Sequence, residues 1–342
     1  MQCSCIRTEW LDPKLGFDIG FDYAANGLEL PSHIRDEESE LPAALFQGYR
    51  YGVERHGRSH GRSDRFTRKW LQLRVNAWRR LRHFDDRVTP GYLRTIDVVY
   101  CPITRVKLEH GTGSMDSWSV DRIYNGAGYA PGNLAVISRR ANEAKGTLTV
   151  EKVVRILAGE SSWELDPALG REEWRRAICL MAWSDPTIAP QVSGRLPMVV
   201  APTPRTLLHS PYTAFQILLV HAQMNVPIAR GGDPIQAVVD LVASKKARRQ
   251  VVELILSLQR MARENEATMR REGRFGAVSL NALEDAWAAP GIAAHWDKLV
   301  RKTEPAAFAP ALAILRGRLV ANEQRFEGWA LQSGGYDLPC HN

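Results

Sequence analysis

Cysteine is scarce in this chain and badly placed for bracing it. The five are scattered at Cys3, Cys5, Cys101, Cys179 and Cys340. No CxxC pair is present, so the paired thiolates of a zinc ribbon are missing and no structural zinc is expected. Cys3 and Cys5 stand too close together for an ordinary disulfide. Nothing in this usage points to an oxidising compartment. Long apolar runs are missing too: none approaches the length that spans a bilayer, and the N-terminus lacks the charged-then-apolar pattern of a secretory signal. A cytoplasmic protein with no membrane partner is the expectation. No internal repeat is visible, so a repeat array is not expected.

What is present reads as globular. Apolar residues make up 44% of the chain and charged residues 24%, ordinary values that argue against wholesale disorder. A length of 342 residues is enough for two or three domains and a sizeable core. The net charge is +7, and its placement says more than its size. Between Tyr49 and Arg94 stand 12 Arg and Lys69 against four acids, Glu54, Asp64, Asp85 and Asp86. That local excess is larger than the net charge of the whole chain, so the remainder is close to neutral. A surface that meets phosphates needs this kind of local basicity.

Residues 1–45 are mixed and turn-rich, with acids at Asp36–Glu40, and read as an irregular N-terminal segment. The Gly-punctuated run His56–Ser63 reads as a loop. A helix is predicted over 64–84 with Ser63 as N-cap, because Phe66, Trp70, Leu73, Ala77, Leu81 and Phe84 recur at three- and four-residue spacing. Its other faces carry Arg and Lys, and Lys69, Arg74, Arg79 and Arg82 are the candidate phosphate contacts. A solvated helix with no ligand is the alternative reading of the same pattern.

The central stretch, 100–148, carries the motifs. In order they are Cys101-Pro102-Ile103-Thr104, Ser119-Val120-Asp121-Arg122-Ile123, Gly128-Tyr129-Ala130-Pro131-Gly132-Asn133-Leu134, and Asn142-Glu143-Ala144-Lys145. A first strand or hairpin is expected near 106–109 and a turn at 111–113. Strands are expected at 118–123 and 134–137, and a helix at 138–145. From about 150 onward the pattern is helical, with helices predicted near 150–157, 172–183, 213–223, 234–243, 247–271, 279–287, 293–301 and 308–331. The Pro-rich stretch 185–211 reads as a linker or wrapping loop.

The ordered motifs resemble the HNH (His-Me finger) nucleases, in particular a phage-type branch with Asp-Arg-Ile where Asp-His is usual. The resemblance is confined to 100–148. It implies a small ββα-metal unit that cuts phosphodiesters with one divalent ion, Mg²⁺ or Mn²⁺. By motif position Asp121 and Asn142 would hold the metal, Asn133 would tie down the loop by side-chain to backbone hydrogen bonds, and Lys145 and Arg139 would meet phosphate. Arg122 stands where the family usually carries its general-base His. Arg stays protonated at neutral pH and cannot accept that proton, though it could bind the scissile phosphate. His110, at the end of the preceding strand, is the nearest candidate base in sequence, and a metal-bound hydroxide is the other option. The chain also departs from the family at Tyr124, where a further Asp is common.

The expected architecture is therefore α+β. A basic helical N-terminal region spans 1–95, an HNH-like domain 96–150, and a mainly helical domain 151–342. The expected activity is metal-dependent cleavage of nucleic acid, with double-stranded DNA as partner, in a phage, mobile-element or anti-phage setting. The alternative is a non-catalytic nucleic-acid-binding or protein-interaction protein on a degenerate scaffold, with the helical C-terminal domain holding a protein partner. Each residue also has an ordinary reading. Asp121 could pair with Arg122 or Arg139 at a strand end, Asn142 could be an exposed helix residue, and Asn133 a turn residue.

Overall fold

The computed structural model describes residues 11–36, 41–57, 63–160, 164–208, 210–225, 232–274 and 276–321. The acids at 37–40, the loop residues 58–62, the predicted helical residues 322–331, and Cys3, Cys5 and Cys340 lie outside these. The fold is α+β: helices predominate, beside one small antiparallel sheet of two strands. Among the described residues the chain divides into two units, one reaching Thr95 and including Gly126–Pro131, the other holding Ile96–Asn125 and the residues from Gly132 to Ala321. Among the described residues no helix is long and apolar enough to cross a membrane.

The first unit contains α1 (Pro13–Ala25), α2 (Ser32–Arg35), α3 (Ala43–His56), α4 (Arg65–Arg79) and α5 (Pro90–Thr95). Over the described residues 11–36 and 41–45, the expectation of an irregular segment is corrected here. Asp12 caps α1, its carboxylate accepting from the Lys14 N–H at 2.8 Å, and Pro13 opens the helix. Gly16 and Gly20 depress helix propensity by about 1 kcal/mol each, which hides α1 from a propensity reading. Their use is contact. A Cβ on Gly20 would lie 1.9 Å from the Leu45 carbonyl oxygen, and one on Gly48 would lie 2.0 Å from that of Phe17. The backbones of α1 and α3 therefore touch directly, and Ile19, Tyr23, Leu45 and Phe46 close over the crossing with Leu71, Val75 and Trp78 of α4.

Helix α4 is shorter than predicted. Its cap is Asp64, whose carboxylate accepts from the Thr67 N–H at 2.8 Å, and not Ser63. It ends at Arg79, and Leu81 beyond it has φ 51 and is 48% exposed. Phe66, Leu73 and Ala77 of the predicted stripe are buried, and so are Leu71, Val75 and Trp78, so the helix is covered on more than one side.

The second unit begins with a chain that makes only isolated bridges, Tyr100 with Lys107 and Glu109 with Ser117, where a strand was expected near 106–109. Strands β1 (Trp118–Arg122) and β2 (Leu134–Ser138) pair antiparallel, with Asp121 opposite Ala135 and Val120 opposite Val136. Helix α6 (Arg139–Lys145) follows at once. Then come α7 (Val150–Leu157), α8 (Arg171–Ser184), α9 (Pro190–Ser193), α10 (Pro211–Gln223), α11 (Pro234–Asp240), α12 (Lys245–Arg271), α13 (Val278–Ala288), α14 (Pro290–Arg301), a 3₁₀ turn at Pro305–Phe308, and α15 (Ala309–Ala321). Trp174, Trp183, Tyr212, Phe215, Trp287, Trp296 and Phe308 fill the interior of this helical part. The Pro-rich stretch around α9 is partly interior too, burying Met198, Val199, Val200, Leu207 and Leu208.

Candidate functional site

Period-two alternation along β1 sends Trp118 and Val120 into the core and leaves Ser119 and Asp121 on the opposite face, half-buried. Strand β2 is buried at every position. Helix α6 crosses the face that holds Ser119 and Asp121, and two of its side chains reach β1 one turn apart. Asn142 Nδ2 donates to Ser119 Oγ at 2.9 Å. Lys145 Nζ meets Asp121 Oδ2 at 2.8 Å.

The approach of α6 is fixed from below by the Cys-Pro-x-Thr motif. The buried Cys101 Sγ accepts from the Thr104 N–H at 3.4 Å and from the Ser138 N–H at 3.2 Å. Ser138 in turn caps α6, its Oγ accepting from the Ala141 N–H at 3.2 Å. Arg140 ties the outer side of the helix to α8, donating to Glu173 Oε1 at 3.2 Å. Asn142 is thus carried on a helix whose start is pinned to the strand end and to the Cys101 turn.

Asn133 is completely buried and clamps the loop between the strands. Its Oδ1 accepts from the Tyr124 N–H at 2.8 Å and its Nδ2 donates to the Tyr124 carbonyl at 3.0 Å. Gly132 before it has φ 91, a conformation an L side chain rarely adopts, and it lies against Leu207. The clamp holds Ile123 and Tyr124 just beyond Asp121, so it sets where β1 ends.

Lys145 is turned inward, with its side chain only 3% exposed against 15% for Asp121. Besides the carboxylate, its ammonium donates to the Arg122 carbonyl at 2.9 Å and reaches Asn125 Oδ1 at 3.4 Å. Asn125 Nδ2 is shared between the Gly146 and Leu148 carbonyls, each at 3.2 Å, and so braces the end of α6. Arg122 Nη1 donates to the Asn125 carbonyl at 3.1 Å. Arg139 stays about half exposed, bound to Glu143 at 2.6 Å and to the Gly113 carbonyl at 3.0 Å.

His110 is not brought to Asp121. It is exposed and meets the edge of the Trp118 ring, centroids 5.8 Å apart. Three strand residues put Trp118 about 10 Å along β1 from Asp121 and on the opposite face. In the first unit, Arg74 is paired with Asp22 and lies over Trp70, 4.5 Å from the ring centroid. Lys69 and Arg79 are half-buried, and burial lowers the pKa of Lys69. Arg82 is exposed, as are Arg65, Arg68 and Arg80, which the sequence reading did not single out.

Ser119 and Asn125 belong to the site and were not anticipated. Ser119 was accessible by simple alternation, two residues before Asp121 on the same strand face. Asn125 had no such signal, because a turn places it.

Asp121 and Asn142 offer a carboxylate and an amide oxygen on one face, the hard donors that Mg²⁺ or Mn²⁺ takes, and such ions keep several waters. Donation from Asn142 Nδ2 to Ser119 leaves its Oδ1 as the donor for a cation, so the donor chemistry fits. Among the described residues no group of three or more His, Cys, Asp and Glu is placed to hold a metal. A site here would therefore be built from the Asp–Asn pair, water and a ligand's own oxygens. No protein-family model matches the chain, and comparisons with curated proteins and with solved structures find no match.

Proposed function

We propose that the face shared by β1 and α6 is the catalytic face of an HNH-like ββα-metal unit, and that the chain hydrolyses phosphodiester bonds in DNA. The observation that supports this reading is that Asn142 and Lys145 of α6 reach Ser119 and Asp121, neighbours on one face of β1, while Asn133 clamps the loop that follows. These residue types recur in that order in the HNH nucleases. On this reading Asp121 and Asn142 would hold the ion. Asn133 fixes the end of β1, and Ser119 orients the Asn142 amide. A bound divalent cation supplies charge stabilisation at the scissile phosphate and a more acidic water. The exposed Arg139 at the start of α6 adds positive charge for the phosphate, whereas Arg122 follows Trp118 and Val120 on the other face of β1 and is bound to the Asn125 carbonyl. The reading assigns no side chain as proton acceptor. Exposed Arg65, Arg68, Arg80 and Arg82 give the first unit sequence-independent affinity for the DNA backbone.

A second reading, nucleic-acid binding without cleavage, is favoured by the Lys145–Asp121 pair, since a buried ammonium already neutralises the carboxylate. Supercoiled plasmid incubated with the purified chain and Mg²⁺ separates the two. The nuclease reading predicts nicking that EDTA abolishes and that Asp121→Ala and Asn142→Ala each reduce at least about a hundredfold. Nicking that survives both substitutions would sink it. Salt-sensitive binding with no nicking in Mg²⁺ or Mn²⁺ would establish the second reading instead.

A further inference from the structure

Lys145 places a buried cation where the proposed metal ligand is. Its ammonium is held by three acceptors: Asp121 Oδ2 at 2.8 Å, the Arg122 carbonyl at 2.9 Å and Asn125 Oδ1 at 3.4 Å. The Lys145 side chain is 3% exposed and Asp121's 15%, so bulk water screens the pair poorly. The Asp121 carboxylate is therefore neutralised before any divalent ion arrives. An ion bound through Asp121 and the neutral Asn142 amide meets no net negative charge from the pair Asp121–Lys145, and it feels the ammonium's repulsion besides.

We propose that Lys145 makes metal binding conditional on substrate. The missing negative charge comes from a phosphodiester, whose oxygens face the ion and offset the ammonium. The chain then takes up its metal together with DNA and binds it weakly alone. This rests on the metal reading above and adds to it a positioning residue: Lys145 acts through Asp121 and touches no reacting atom. Its two other acceptors, the Arg122 carbonyl and Asn125 Oδ1, keep the ammonium at the site when Asp121 turns toward an ion. The buried cation is thus a fixed feature of the loaded site as well.

The test is the affinity for Mn²⁺, read from the electron paramagnetic resonance signal of the free ion, with and without a short DNA duplex. Asp121→Asn with the same duplex sets the background. Wild-type protein is expected to bind Mn²⁺ at least about tenfold more tightly with the duplex than without it. Lys145→Met, which keeps the aliphatic stem and removes the charge, is expected to bind Mn²⁺ tightly in both conditions. Lys145→Arg is expected to keep the dependence on duplex. Equal wild-type affinity with and without duplex overturns the proposal, and needs no variant to fold. Tight wild-type binding without duplex, equal to that of Lys145→Met, overturns it as well. If instead Asp121→Asn matches wild type in every condition, the ion is not at Asp121, and the metal reading itself fails.

Discussion

Asn133 shows how one buried side chain can hold a loop. It is completely buried, and its amide satisfies the N–H and the carbonyl of Tyr124 at 2.8 and 3.0 Å. Asn133→Ala leaves both backbone groups without that partner, and each such loss costs about 1–3 kcal/mol. The variant is expected to lose about 3 kcal/mol in urea unfolding, with a shifted midpoint and unchanged slope. A loss below about 0.5 kcal/mol would mean that the loop does not depend on the clamp. This role was expected only through the resemblance; the residues alone read as a turn after Gly132, with no partner named for the Asn133 side chain. The inward turn of Lys145 was not legible. A Lys one helical turn after Asn142 has the same spacing whether it meets a phosphate or a carboxylate beneath the helix.

Elements divide in the same way. Strands β1 and β2 and helix α6 fall within one residue of their predicted bounds. Most of the later helices were also legible from apolar periodicity. Helices α1 and α3 were less so, because their crossing uses glycines that weaken helical propensity. Only the tertiary contact explains them. Gly20→Ala and Gly48→Ala drive a methyl into facing backbone and are each expected to destabilise the chain by about 3 kcal/mol. Gly91→Ala in α5, whose nearest neighbour is Thr89 Oγ1 at 3.5 Å, is expected to be neutral or stabilising by up to about 1 kcal/mol. Thermal unfolding of the three variants checks this: equal effects at Gly20 and Gly91 would contradict the close crossing. The missed length of α4 has a local cause. Its apolar positions continue past Arg79, but Leu81 adopts φ 51 and ends the helix.

At the scale of the whole molecule, a buried charge cluster holds the chain before β1 to the C-terminal helices of its unit. Arg105 reaches Glu284 at 2.9 Å and Asp285 at 2.8 Å, and Glu284 also accepts the Ala201 N–H at 2.7 Å. Burial alone would lower the pKa of Arg105, but Asp285 and Glu284 outweigh it and the pKa rises. Arg105 is shared between two carboxylates, so Glu284 receives less than a full counter-charge, and burial pushes its pKa up to about 7. The folded chain then binds a proton that the unfolded chain, with an ordinary Glu, has lost. Stability from this group is complete below about pH 4.3 and is lost as pH rises through about 7. Wild-type stability is expected to fall between about pH 5 and about pH 8 with a component that Glu284→Gln lacks, measured by urea unfolding across that range. An identical pH dependence in both proteins would remove Glu284 as its source. Neither the cluster nor its partners were legible in the sequence, since Arg105 and Glu284 are far apart along the chain and meet only through tertiary packing.

The central claim is that Asp121 and Asn142 act together on one cation to cut DNA. The most direct measurement is the rate at which supercoiled plasmid is nicked in Mg²⁺ by wild type, by Asp121→Ala, by Asn142→Ala and by the double variant. The account predicts a loss of at least about a hundredfold in each single variant and little further loss in the double, because the two residues serve one ion. Full wild-type nicking by the double variant would contradict it.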